Sequence, residues 1–440
     1  MSNVFDKIFS SSWHKTRFAF QSKLGGNILA LYVVQGMNYL APIAILPYLL
    51  RTVGPRNFGG IVFAQSVIGY LRIWTDFGFT FTATREISIA RNDPARVARI
   101  FWSTLISKVL LLIIGACVFS TIILLIPFLR LHLAFIAVSS MSALGAVLMP
   151  QWYFQGHEQM RFIATVQASS RVLLYGAIFL VVHTPRDALI AAGFLSAPSL
   201  VAAIVCLAGI PRLLPVKWIR PSSGDIRATL GASWYLFLSG AATSLYLNTN
   251  VFLIGLIGGD YQVALYGIAN RLALAIFGLL SPISQAVYPR ASLIFSRSRS
   301  EGKLFLKKLT GVLMGLALAM SFGIFIFAPL IIHIFGGNKF VGAVSVLRVM
   351  AALPILLALA TILSQFVMIN VGLTKQLSRI YIAAGITSLA SLVPLVKYLG
   401  ALGGAISLLL AEAIGPALML LVIRNSKAAL FQETQPSQNS

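Results

Sequence analysis

Charge is what this 440-residue chain has least of: 10% of its residues are Asp, Glu, Lys or Arg, and only 11 are acidic. An ordinary soluble domain is roughly a quarter charged and about 45–50% apolar. Here 58% of residues are hydrophobic and the mean hydropathy is +0.88. A soluble fold of this composition could not cover its own surface with polar groups. Cysteine is nearly absent. Cys117 and Cys206 each stand alone inside an apolar run, which excludes a disulfide framework or a cysteine-ligated zinc site. The histidines (His14, His132, His157, His183, His333) lie one by one at or near the ends of apolar runs. No Gly-x-x-x-x-Gly-Lys-Ser/Thr loop, Gly-x-Ser-x-Gly, His-Glu-x-x-His or paired Cys-x-x-Cys occurs. No loop is large enough to house a transferase site. The expectation is a protein with no catalytic residues, no metal and no cofactor.

Long apolar runs are what the chain has instead. Lipid admits only helices and closed barrels, and barrel strands alternate apolar with polar residues. Val109–Phe128 and Val312–Phe335 do not alternate, and each has the roughly 20 residues a spanning helix needs. The predicted class is all-α: a polytopic membrane protein of about twelve transmembrane helices. The first six are predicted at Leu24–Leu50, Phe58–Phe81, Phe101–Pro127, Leu131–Trp152, Phe162–Val182 and Ala188–Ile210. The second six are predicted at Ala228–Ile257, Gln262–Val287, Leu309–Phe335, Val341–Ile369, Leu377–Val396 and Ala401–Ile423. Residues 1–23 read as a basic, aromatic interfacial segment and not a removable signal peptide. Residues 211–227 read as a linker between lobes at 24–210 and 228–424, and 425–440 as a polar, disordered tail.

Basic residues outnumber acidic ones by 34 to 11, a net charge of +23. Twenty-three of the 34 fall in segments on the side of the N-terminus, and six fall on the other side. By the positive-inside rule both termini are cytoplasmic and the number of spans is even. A weak internal echo adds to this. Val53-Gly54, Ala64-Gln65 and Arg85 find counterparts in Ile257-Gly258, Ala269-Asn270 and Arg290, with a spacing of 21 from alanine to arginine in both halves. That suggests two six-helix lobes around a central cavity.

Seven ionisable residues fall more than three residues inside the predicted spans: Arg72, Asp76, Lys108, Arg171, Arg271, Arg348 and Glu412. Each costs roughly 2.5–3.5 kcal/mol near the bilayer centre, so each should snorkel or face a wet interior. Five are cations, which suits an anionic cargo. Arg72 and Asp76 are four residues apart and share a helix face, so pairing with one another competes with cargo contact. Lys108 is expected to snorkel to the near end of its span. Arg171 is mid-span, and Arg348 lies near an outer end. The candidate binding set is Arg72, Arg171, Arg271 and Arg348, with the polar groups Gln35, Asn38, Asn250 and Asn270. Asp76 and Glu412 are candidates for ion or proton coupling. Ser239 and Thr243 extend the face of Asn250. Prolines at 42, 47, 198, 282, 329, 354 and 394 interrupt the spans and loosen the backbone ladder.

Several motifs carry a family resemblance. Pro47-Tyr48-Leu49-Leu50-Arg51-Thr52-Val53-Gly54-Pro55 with Phe58-Gly59 resembles the first-loop pattern of bacterial O-antigen and polysaccharide flippases. Gly78-Phe79 with Ala83-Thr84-Arg85-Glu86-Ile87 resembles the end of their second span. Pro150-Gln151-Trp152-Tyr153-Phe154-Gln155-Gly156-His157-Glu158-Gln159-Met160 resembles their fourth-loop signature and is the most specific match; Tyr288-Pro289-Arg290 adds a further piece. The resemblance implies the multidrug/oligosaccharidyl-lipid/polysaccharide exporter fold. It also implies transport of undecaprenyl-diphosphate-linked repeat units from the cytoplasmic to the periplasmic leaflet of the bacterial inner membrane. A glycan polymerase and a chain-length regulator would be further partners. The alternatives are a drug or cation exporter of the same fold, a membrane glycan polymerase or transferase, and a non-transporting scaffold.

Overall fold

In the computed structural model the backbone is described for residues 17–213, 216–280, 299–369 and 373–430. These residues are helical, with no strand among them. The elements are α1 (Arg17–Asp76), α2 (Phe79–Ile89), α3 (Pro94–Leu125), α4 (Pro127–Leu131), α5 (Leu133–Leu148), α6 (Gln151–Gly156) and α7 (Met160–Val181). They continue with α8 (Ala188–Leu213), α9 (Ser223–Gly278), α10 (Arg299–Gly336), α11 (Ala343–Met350), α12 (Leu353–Thr361), α13 (Thr374–Leu399) and α14 (Ala401–Leu430). Nine helical segments among the described residues are long and apolar enough to cross a membrane.

Local chemistry sets the helix starts. Asp93 accepts hydrogen bonds from the amides of Ala95 (3.1 Å) and Arg96 (3.0 Å), and Pro94 follows it at the first helical position of α3. Ser222 and Asp225 form a reciprocal capping box at the start of α9.

Two long helices each contain a predicted pair of spans. α1 is bent at Gly54 (φ 77°, ψ 171°) and α9 at Gly259 (φ 75°, ψ 179°). This region of backbone space is essentially closed to residues with a Cβ. The two bends are near-identical and stand 205 residues apart, the same offset that relates Ala64 to Ala269. The counterpart of Gly54 is therefore Gly259, one residue beyond the Gly258 expected from the sequence.

Two other boundaries differ from expectation. The second span ends at Asp76 and not at Phe81, because Phe77 (φ 47°) and Gly78 (φ 80°) turn left-handed and start α2 in a new direction. The tenth predicted span is three pieces. Pro354 restarts the chain at α12, and Ile362–Met368 winds as a π-helix. Such wide turns free backbone groups and recur at functional or adjustable points.

The helices gather in two halves joined along α1 and α9. α5 and α7 each pack on α8, and all three pack on α1; α13 and α14 pack on one another and on α9. At the α1–α9 seam, glycines allow near-backbone contact. Gly255 makes room for the Phe63 ring, and Gly59 lies directly against the Asp260 carbonyl. Phe63 and Phe252 stack there at 5.8 Å.

Candidate substrate cavity

A cavity of about 890 Å³ opens at one end of the bundle. Its walls come from the end of α1 (Gly69, Arg72, Asp76), the middle of α3 (Lys108), the α5–α6 junction (Met149, Gln151) and α7 (Gln167, Arg171). α9 contributes Leu236, Phe237 and Ala241. The cavity is thus offset into the N-terminal half and not centred between the halves.

Three of the five cations of the predicted spans line it: Arg72, Lys108 and Arg171. One carboxylate, Asp76, accompanies them. Lys108 does not snorkel. Its residue is 3% exposed, and its ammonium lies 3.4 Å from Asp76 Oδ1. The ammonium also donates to the Ala146 carbonyl (3.2 Å) and sits 4.5 Å from the centre of the Trp152 ring. The snorkelling expectation fails because the lysine stem points across the bundle toward α1 and α6, where an acid and a π-face replace its water. Asp76 Oδ1 also accepts from the Thr80 hydroxyl at 2.8 Å, across the left-handed turn. Of the two alternatives for Arg72 and Asp76, the mutual pair is not made. The Arg72 side chain forms no ion pair or hydrogen bond among the described residues, and its guanidinium faces the cavity, within electrostatic reach of Asp76 and Arg171.

Arg271 is not a cavity wall residue. It lies on the α1–α9 seam, where it donates to Gln65 Oε1 at 2.7 Å and stands 5.1 Å from the centre of the Phe58 ring. Tyr175 on α7 is within electrostatic reach of both Arg171 and Arg271. Arg348 is exposed, 5.7 Å from the Phe325 ring, and away from the cavity. Asn250 and Asn270 are likewise outside it. Asn250 is fully buried and donates to the Tyr266 hydroxyl at 3.3 Å. The side-chain oxygens of both asparagines lack a partner among the described residues. Glu412, half-buried on α14, acts electrostatically on Tyr266. The side chains of Gln35, Asn38, Ser239 and Thr243, together with Pro282 and Tyr288-Pro289-Arg290, lie outside the described residues, as do most of the N-terminal segment and the end of the tail.

Sequence reasoning passed over Gln167, read Gln151 only as part of a motif, and set Lys108 aside as a snorkelling residue. Gln167 had a usable signal, since it precedes Arg171 by one helical turn. The fourth-loop motif divides in function. Gln151 faces the cavity. Gln155 accepts from Thr84 (3.2 Å), and Glu158 pairs with Arg91 (3.0 Å), fastening α6 to α2.

The opposite end is closed. His132 Nε2 lies 2.7 Å from Asp260 Oδ1, joining the start of α5 to the bend in α9. Arg51 donates to the Ile334 carbonyl at 2.7 Å. Nearer the cavity, the Tyr70 and Thr249 hydroxyls meet at 2.8 Å between α1 and α9.

A model of the family described as "Polysaccharide biosynthesis protein" matches residues 24–295. The chain belongs to that family. It is 34% identical over 401 residues to an Escherichia coli (strain K12) protein named "Putative O-antigen transporter", covering 91% of this chain and 97% of that one. A Shigella dysenteriae protein of the same name is 33% identical, covering 90% and 99%. Among solved structures, the fold is similar to "Lipid II flippase MurJ, inward closed conformation", with a TM-score of 0.70 at 11% identity, covering 90% of this chain and 87% of that one. It is also similar to an inward-facing multidrug resistance MATE family transporter of the MOP superfamily, with a TM-score of 0.66 at 14% identity, covering 90% and 100%. The chain is a multi-pass membrane transporter and not an enzyme.

Proposed function

We propose that this transporter is a flippase for undecaprenyl-diphosphate-linked O-antigen or polysaccharide repeat units. It carries them from the cytoplasmic to the periplasmic leaflet of a bacterial inner membrane. The lobes are those of residues 24–210 and 228–424, and both termini are cytoplasmic. One observation carries the reading: Arg72 and Arg171 face the same open cavity, whose one lining acid is already engaged by a lysine. A cavity so charged suits a diphosphate or an acidic sugar. The polyprenyl tail stays in lipid while the head group enters. The halves then rock about the α1–α9 seam, opening the end that His132–Asp260 closes. The names of the relatives support the glycan class, and the orientation rests on the basic loops.

A drug or cation exporter of the same fold would want an acid available to its cargo; Asp76 is not, because Lys108 holds it.

The test is export of the glycan to the outer leaflet in cells lacking the native gene and carrying Arg72→Ala, Arg171→Ala or both, with Arg348→Ala as the control outside the cavity. Loss in the first two with near-normal export in the control is expected. Normal export by the double variant would remove the cationic-cavity reading.

A further inference from the structure

We infer that Lys108 is a positioning residue: by occupying Asp76 it keeps the Arg72 guanidinium available to the anionic cargo. The inference rests on the flippase reading and assigns a division of labour among its charges.

Arg72 and Asp76 stand four residues apart on α1, the spacing at which oppositely charged side chains pair across one helical turn. Left alone, the two would neutralise each other on the cavity wall. Instead Asp76 Oδ1 receives the Lys108 ammonium at 3.4 Å and the Thr80 hydroxyl at 2.8 Å. Arg72 has no such partner among the described residues.

Two features make this arrangement the preferred one. The first is geometric. α1 stops at Asp76, and the left-handed Phe77 and Gly78 bring Thr80 back over the carboxylate. Lys108 is aimed at the same oxygen by the Ala146 carbonyl and the Trp152 ring. The second is energetic. The Lys108 side chain is 4% exposed, whereas that of Asp76 is 45% exposed to the cavity. A buried ammonium without an acid leaves an uncompensated charge, a far larger penalty than leaving a guanidinium facing a wet cavity. The carboxylate therefore goes to the lysine. The arginine keeps its planar, bidentate donor face for a phosphate.

The test uses the full-length protein in two assays: export in cells, and binding of a soluble short-chain prenyl diphosphate to the detergent-purified protein. Membrane yield and monodispersity are followed for each variant. Lys108→Met keeps the apolar stem and releases Asp76 to Arg72; export and binding are expected to fall about tenfold. Lys108→Met combined with Asp76→Asn removes both members of the pair and frees Arg72 again; both readouts are expected to recover to within about threefold of wild type. If the double variant stays as low as Lys108→Met, the lysine serves only to hold α5 and α6, and the inference falls. Arg72→Ala separates this from the parent reading. Normal export and binding in Arg72→Ala defeat the flippase-cavity assignment itself, whatever the lysine variants do.

Discussion

Gly59→Ala is the sharpest single perturbation of the closed end. A Cβ at Gly59 would overlap the Asp260 carbonyl, a backbone atom that no side-chain rotation can move away. Relief requires α1 and the bend of α9 to part. Asp260 is also the residue whose carboxylate holds His132 at 2.7 Å, so parting strains that bond as well. Overpacking of a tight site costs about 1–3 kcal/mol. Paid only when this end is closed, that cost shifts the conformational balance toward opening it by roughly five- to over a hundredfold. The assay is maleimide labelling of a cysteine placed at Val62, on the α1–α9 seam, in a background with Cys117 replaced. Gly315→Ala, where nothing lies within 4 Å of the added carbon, is the control. Labelling should rise in Gly59→Ala and stay flat in Gly315→Ala. Equal labelling in both, with unchanged export, would refute the argument that this seam closes that end.

The same end should respond to pH. Burial pushes the His132 imidazolium down, but the hydrogen bonds to Asp260 and the Phe128 carbonyl outweigh it and raise the group above its ordinary 6.5. Both ring nitrogens face acceptors, so the doubly protonated ring satisfies both. A raised folded-state value means the stabilisation is fully present below the ordinary value and is lost as pH rises through the folded one. Seam labelling should therefore increase on going from mildly acid to alkaline medium, and His132→Gln should flatten that profile. The two bends offer a paired test. Gly54→Ala and Gly259→Ala meet no steric obstacle but force a Cβ into a backbone region that disfavours it by about 1–3 kcal/mol. Each should lower the thermal midpoint of the purified protein by a similar amount, and an effect at one bend alone would argue against their equivalence.

The boundaries of the apolar runs were legible because hydropathy and length answer directly to the bilayer. α7 and α8 begin and end within about three residues of where the runs do, whereas α3 starts well before its run, at Pro94, where Asp93 caps it. The Asp76–Phe79 break was not legible, since Phe77 is as apolar as its neighbours and its left-handed backbone follows from the packing of α2. The Ala64–Ala269 echo shares its 205-residue offset with the twin bends, but only the backbone shows the bends and singles out Gly259.

Charge burial follows the same division. Composition alone required an interior that tolerates cations, because lipid does not. It named Arg72 and Arg171 without saying which way they face. Arg72, Asp76 and Lys108 illustrate the limit. Spacing along one helix offered Arg72 as the partner of Asp76, while a lysine 32 residues later in the chain took the carboxylate. Spans and net sign are properties of short stretches of chain, and sequence determines them. Which charge is spent on a neighbour and which is left for a cargo depends on relative burial of groups from different helices, and only the tertiary structure decides that.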